Sequence, residues 1–197
     1  MKNSMSQVPT KPTVIVLASG RGERFRASGG TVHKLDALLC GRAVRARTLD
    51  AVEKSGLTWH VEDVGHPTMG DSIAAAVRAT RNAAGWLILP ADLPLVRPET
   101  LRGVASVLES GAWQAVQPVY ARGRHEPERG HPVGFSASWR DALCALAGAS
   151  GAASVLKSLR AEGRACDLPV DDVGIVTDID TLDDLAAAEM LWVSSSR

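Results

Sequence analysis

Three groups of residues have types and spacing suited to phosphate chemistry. The first is Gly20-Arg21-Gly22-Glu23-Arg24-Phe25, followed by Gly29, Gly30 and Lys34. Glycines let backbone N–H groups approach phosphate oxygens closely. Arg24 and Lys34 add cations able to make charge-assisted bonds to the same oxygens. The run is not a dinucleotide fingerprint, because Phe25 stands where GxGxxG needs its third glycine, and the P-loop pattern GxxxxGK[ST] is absent. The second group is Pro90-Ala91-Asp92-Leu93-Pro94. A carboxylate just after a buried strand is placed to hold Mg²⁺, and the flanking prolines fix the turn that presents it. The third is Asp178-Ile179-Asp180-Thr181-Leu182-Asp183-Asp184. Thr181 with Asp184 reads as a capping box, which leaves Asp178 and Asp180 over, alternating and so facing one way if the segment is extended.

The elements that must position these groups follow from the hydrophobic pattern. Residues 13–18 (TVIVLA) form a β-branched run typical of a strand buried on both faces. The Gly-rich loop comes next, from 19 to 33. Ala43, Ala46, Leu49 and Val52 then recur at helical spacing, with Gly56 as the stop. Strands are expected at 57–64, 86–89, 113–120 and 131–135. Helices are expected at 72–84, from Pro98 to a stop at Gly111, and at 139–146 and 152–161. Pro118 suggests that its strand lies at an edge or ends there. CDLPV and GIVT read as short extended pieces. A last helix opens near Thr181, with Leu182, Leu185 and Met190 on its apolar side. Strands alternating with helices over short loops predict a three-layer α/β fold, a mostly parallel open sheet with helices on both faces. Such sheets bind ligands beyond the carboxyl ends of their strands, so function is expected just after TVIVLA, just after WLIL and near HPVGF.

Composition removes competing classes. The 197 residues are 45% apolar, enough for one core. Lys plus Arg and Asp plus Glu both number 22, which argues against a basic nucleic-acid binder. Aromatic residues, at 4%, are too few for a stacking platform. Cys40, Cys144 and Cys166 form no CxxC pair, so a disulfide framework or zinc knuckle is not expected and a reducing compartment fits. The opening MKNSMSQVPTKP lacks a signal-peptide core, and no apolar run reaches the ~18 residues of a membrane span. The expectation is a cytoplasmic protein with a loose tail over 1–12 and one domain over 13–193.

LASGRGERF followed by Lys34 resembles the signature of nucleotidyltransferases of the molybdenum-cofactor type. PTMGDSIAAAV, PADLPLV, GHPVGF and DIDTLDDL are similar, in the same order, to further motifs of one branch, molybdenum cofactor cytidylyltransferase. The resemblance spans residues 13–190 and implies a nucleotide-diphospho-sugar transferase-like fold. It implies that Ala18, Ser19, Gly20, Arg21 and Gly22 wrap a triphosphate together with Arg24 and Lys34. Gly70, Asp71 and Ser72 match the turn that reads the base or ribose. Asp92 matches a Mg²⁺ ligand, with Asp180 or Asp178 as the second carboxylate. Gly130, His131 and Pro132 would line the acceptor side. The implied reaction is attack by a terminal phosphate of a molybdopterin-type acceptor on the α-phosphate of CTP, releasing pyrophosphate. Guanylyl transfer, transfer to a sugar phosphate, and a non-catalytic nucleotide binder on the same fold are the alternatives. The resemblance also implies a molybdoenzyme or its chaperone as a protein partner. Residues 42–67 have room for one helix and one strand, fewer elements than that family places there.

Overall fold

The computed structural model describes residues 11–121 and 126–195; the expected tail therefore lies almost wholly outside the described residues, as does part of the polar loop before His131. The chain runs β1 (Thr13–Leu17), α1 (Glu23–Ala27), β2 (Leu38–Leu39), β3 (Arg42–Ala43), α2 (Val44–Ser55), β4 (Thr58–Glu62), α3 (Met69–Ala79), β5 (Gly85–Pro90) and α4 (Pro98–Glu109). It continues through β6 (Ala115–Tyr120), β7 (Glu128–Arg129), β8 (Val133–Ser136), α5 (Arg140–Cys144), α6 (Ala153–Ala161), β9 (Ala165–Pro169) and α7 (Leu182–Ser195).

The main sheet has the order β4-β1-β5-β8-β6-β7, with β9 also pairing β6. β1 is parallel to β4 and β5, and β6 is parallel to β9; β8 runs antiparallel between β5 and β6. The expected mostly parallel sheet is present, with β8 and β7 reversed. Alternation along β1 splits the core into two. Val14 and Val16 pack with Leu87, Leu89, Val52 of α2 and Leu101 and Val104 of α4. Ile15 and Leu17 pack on the opposite face with Trp86, Ile73 and Val77 of α3, Leu143 of α5 and Leu159 of α6. Full burial of each such large side chain contributes about 1.5–3 kcal/mol. Helices therefore cover both faces, which makes three layers.

Several local readings need correction. The helix expected at 72–84 begins at Met69, because Thr68 accepts a bond from the Asp71 N–H and caps it there. GIVT is not extended: Val173–Val176 is a 3₁₀ turn capped by the Asp172 side chain. Along α7, Ala188 is buried and Leu185 packs against the core, whereas Leu182 and Met190 face solvent. Pro118 lies inside the sheet, paired with Leu168 of β9. It accepts a bond from the Gly130 N–H on the other side. The Gly130 carbonyl, which a strand N–H at 118 would serve, takes a bond from Gln117 Nε2 instead (3.1 Å). Between Arg42 and Pro67 the chain forms one helix, α2, and one strand of the main sheet, β4, as expected; β3 is a two-residue partner of β2.

Candidate active site

The carboxyl ends of β1 and β5 carry the first two groups, and the backbone fixes their relation. Ala91 N donates to Leu17 O, joining the turn after β5 to the end of β1. Thr48 of α2 donates its hydroxyl to the Ala91 carbonyl (2.9 Å), holding that turn from behind. Gly22 enters α1 with φ 63°, a left-handed conformation that suits glycine, and a Cβ there would touch Lys34 Cγ. His33 fastens this loop to the turn that bears Lys34. Its Nε2 bonds Gly20 O (2.9 Å), while Nδ1 accepts from Leu35 N. Those two bonds define the neutral Nε2–H tautomer.

The third group arrives by a strap, residues 172–180, laid across the other two. Asp172 anchors it, accepting from Arg97 N, Thr100 Oγ1 and Gly174 N. Ile175 O then takes the His131 N–H, and Ile179 N donates to Asp92 O. At the end of the strap the Thr181–Asp184 capping box forms as expected: Asp184 accepts from Thr181 N, and Asp184 N donates to Thr181 Oγ1. Leu182 N donates to Ser28 Oγ, tying α7 to the end of α1.

Four charged side chains meet where these pieces converge. Lys34 Nζ lies 2.6 Å from Asp92 Oδ2 and 2.7 Å from Asp180 Oδ1, and Arg24 Nη1 lies 2.6 Å from Asp180 Oδ2. Burial alone would lower the Lys34 pKa, but the Asp92 charge and bonds to both carboxylates leave it above an ordinary lysine. The Lys34 bond, helped by Arg24, outweighs desolvation and holds Asp180 below the usual carboxylate range. Asp178 behaves oppositely. Desolvation, with the like charges of Asp92 and Asp180, raises its pKa. Asp92 Oδ1 is buried with no hydrogen-bond partner.

Arg24, Lys34 and Asp180 border a cleft of about 380 Å³, lined also by Ser19–Glu23, His66–Met69 and Ser72. Ser19 and Ser72 hydroxyls bond each other across it (3.0 Å). Gly70 and Asp71, expected to read a nucleotide, do not line it. Gly70 packs on the backbone of Ala147, and Asp71 takes the Thr68 hydroxyl at the start of α3. Ala18 sits just behind the cleft, bonding Glu62 O through its N–H.

A second cleft of about 360 Å³ adjoins the first through Met69. Leu17, Ile73, Ile88, Val133, Phe135 and Leu156 make it apolar, and Gln117 and His131 are its polar wall. Of the expected acceptor trio only His131 reaches it. Gly130 lies so close to Ile175 O that a Cβ would sit 2.3 Å away, and Pro132 is buried. Desolvation lowers the His131 pKa, outweighing a bond to the Ile88 backbone and the nearby Asp92 and Asp178. Sequence reasoning missed His33, Glu62 and His66. None stands in a spacing that signals chemistry.

A mostly parallel sheet whose Gly-rich first turn lies beside a cluster of two cations and two carboxylates is the architecture of a nucleotidyltransferase. The chain matches the MobA-like NTP transferase domain over residues 45–165, and it belongs to that family of nucleotidyltransferases. It is similar to the Mycobacterium tuberculosis H37Rv protein Rv0371c, at 25% identity and a TM-score of 0.71, over 91% of this chain and 97% of that one. The manganese complex of that protein superposes with a TM-score of 0.65 at 23% identity, over 90% and 97% of the two chains. Molybdopterin-guanine dinucleotide biosynthesis protein A from Archaeoglobus fulgidus shares the fold, at 20% identity and a TM-score of 0.59, over 92% and 99%. No curated protein matches the chain significantly. Among the described residues no helix is long and apolar enough to cross a membrane.

Proposed function

We propose that the protein transfers CMP from CTP to the terminal phosphate of a molybdopterin-type acceptor, with Mg²⁺ and with release of pyrophosphate. The observation that carries this reading is the meeting of Arg24, Lys34, Asp92 and Asp180 beside the Gly20–Gly22 turn. An attacking phosphate is already a nucleophile, so the site has to position reactants and neutralise charge rather than supply a base. Arg24 and Lys34 oppose the charge that grows on the leaving pyrophosphate.

The carboxylates fit a divalent cation. Asp92 and Asp180 each direct an oxygen at one ammonium, and the remaining oxygen of Asp92 is buried without a partner. Among the described residues no three acidic, His or Cys side chains cluster as a metal cage. The two carboxylates themselves suit Mg²⁺, which takes one or two carboxylates and completes its shell with phosphate and water. Asp92 and Asp180 would hold it, and bound there it would neutralise phosphate oxygens. Asp178, whose pKa is raised, takes no part in the ion pairs that join Lys34 and Arg24 to Asp92 and Asp180. The apolar cleft beyond Met69, with His131 and Gln117, would take the organic body of the acceptor.

The likeness to molybdopterin-guanine dinucleotide biosynthesis protein A favours a second reading, guanylyl transfer to the same acceptor class. Pyrophosphate release measured with each of the four nucleoside triphosphates and molybdopterin separates the two. Turnover with CTP is expected; preferred turnover with GTP moves the protein to the guanylyl reading, and none with any triphosphate rejects both.

A further inference from the structure

The wall of the donor cleft opposite Arg24 and Lys34 is built by His66, Pro67, Thr68, Met69 and Ser72. A nucleotide bound with its phosphates on the cations and the Gly20–Gly22 turn would lay its ribose and base toward that wall. His66 is the titratable side chain in it. Behind His66 stands Glu62, the last residue of β4, whose carboxylate is 7% exposed. Its Oε1 lies 3.2 Å from His66 Nε2 and accepts from Val64 N (3.3 Å). Its Oε2 faces His60 Nε2 at 3.8 Å. His60 and Glu62 share one face of the strand, as alternation requires.

This arrangement favours one tautomer of the neutral ring. In the neutral ring, a proton donated from Nε2 to the Glu62 carboxylate leaves Nδ1 with a lone pair. Pro67 restricts the backbone of His66 to extended conformations, and the Glu62 bond holds the ring. We propose that the Glu62–His66 pair is the base-reading element of the donor cleft: Glu62 is the positioning residue, and His66 Nδ1 accepts from the exocyclic amino group of the base. The inference rests on the nucleotide reading of this cleft and deepens it. Cytosine offers an amino group where uracil carries a carbonyl oxygen. Against uracil two lone pairs would face each other and neither group would gain a partner. A site that needs a donor discriminates strongly against an analogue that lacks one. The pair thus selects CTP over UTP. It does not separate cytosine from guanine, since both carry amino groups.

The test is equilibrium binding of tripolyphosphate, CTP and UTP to the full chain in magnesium buffer, for the wild type, His66→Ala and Glu62→Ala. The wild type should bind CTP at least about tenfold more tightly than UTP. Both variants should bring the ratio to within about twofold of unity while tripolyphosphate affinity holds. His66 is partly exposed, so His66→Ala remains a fair test if Glu62→Ala does not fold. A role confined to holding the end of β4 would weaken CTP and UTP alike, and that result overturns the proposal. So does an equal affinity of the wild type for the two nucleotides, or a ratio unchanged in His66→Ala. Failure of the wild type to bind tripolyphosphate, with CTP preference intact and lost in His66→Ala, rejects the phosphate-cradle reading instead; no binding of any probe rejects both.

Discussion

Lys34 Nζ lies 2.6 Å from Asp92 Oδ2, and the same ammonium reaches Asp180 at 2.7 Å. One cation therefore holds together two carboxylates that would repel each other without it. A divalent ion drawn to those oxygens competes with the lysine for them, and a displaced lysine is free to meet phosphate. The ion pairs are well shielded, the Lys34 side chain being 11% exposed.

Lys34→Ala should act in two ways. Triphosphate affinity and turnover should fall, with loss of the charged bond costing about 1.5–3 kcal/mol. The metal-free protein should also be destabilised, by about 3 kcal/mol, because Asp92 and Asp180 are left facing each other. Added Mg²⁺ should then raise Tm more in the variant than in the wild type, where it must first displace an ammonium. Thermal melts with and without Mg²⁺ check this; equal shifts in the two proteins would show that Lys34 and metal do not share a site.

Asp92→Asn should lose Mg²⁺-dependent turnover and keep its fold, because the Asp92 backbone carbonyl, not its side chain, receives the strap through Ile179 N. Asp180→Asn should show the same loss less severely. Asp178→Asn should retain Mg²⁺-dependent pyrophosphate release, since Asp178 is outside the pair that meets Lys34. A dead Asp178→Asn enzyme beside an active Asp180→Asn would reverse the assignment of the second carboxylate.

Acid should separate the two strap carboxylates by sign. Asp180 has a folded pKa below its ordinary 3.8, so its contribution to stability is present above that value and is lost as pH falls through the folded pKa. Asp178 has a folded pKa above 3.8. Its ionisation therefore opposes folding at neutral pH, and that cost vanishes on acidification. Asp178→Asn should raise Tm at pH 7 and leave it unchanged below 3.8. Asp180→Asn should lower Tm at pH 7 and flatten its fall in acid. Tm measured from pH 7 down to the acid limit tests both signs.

Much of the fold is legible in the sequence because its signals are local. TVIVLA after Thr13 and WLIL are apolar and read as strands covered on both faces, and Gly56 stops α2 in a left-handed conformation. The residues of the charge cluster are legible too, each by its motif. Their meeting is not: Lys34 and Asp180 are 146 residues apart, and only the strap brings them together. Gly70 and Asp71 stand outside the cleft lining because their motif coincides with the cap that starts α3, where one packs on Ala147 and the other is a partner of Thr68. His66 and Glu62 carry no sequence signal, since a strand residue and a loop residue four apart become neighbours only through the turn after β4.

The strap itself offers the sharpest test of how the site is assembled. A Cβ on Gly174 would lie 2.2 Å from the Leu95 carbonyl oxygen, and one on Gly130 would lie 2.3 Å from the Ile175 carbonyl oxygen. In both cases the obstacle is backbone, which cannot rotate aside as a side chain can. Gly174→Ala and Gly130→Ala should each force the strap outward and cost about 1–3 kcal/mol of stability. Because Ile179 and Asp180 follow on the same strap, the displacement should reach the carboxylate that meets Lys34 and Arg24. Mg²⁺-dependent nucleotide binding should therefore fall even at temperatures where both variants remain folded. Gly103→Ala in α4 is the control. A Cβ there meets only Leu168 Cδ2, at 3.8 Å, and alanine in a helix interior gains about 0.5–1 kcal/mol over glycine. That variant should be at least as stable as the wild type with nucleotide binding unchanged. If the two strap variants lose stability but bind nucleotide normally, the strap holds the fold without setting the position of Asp180.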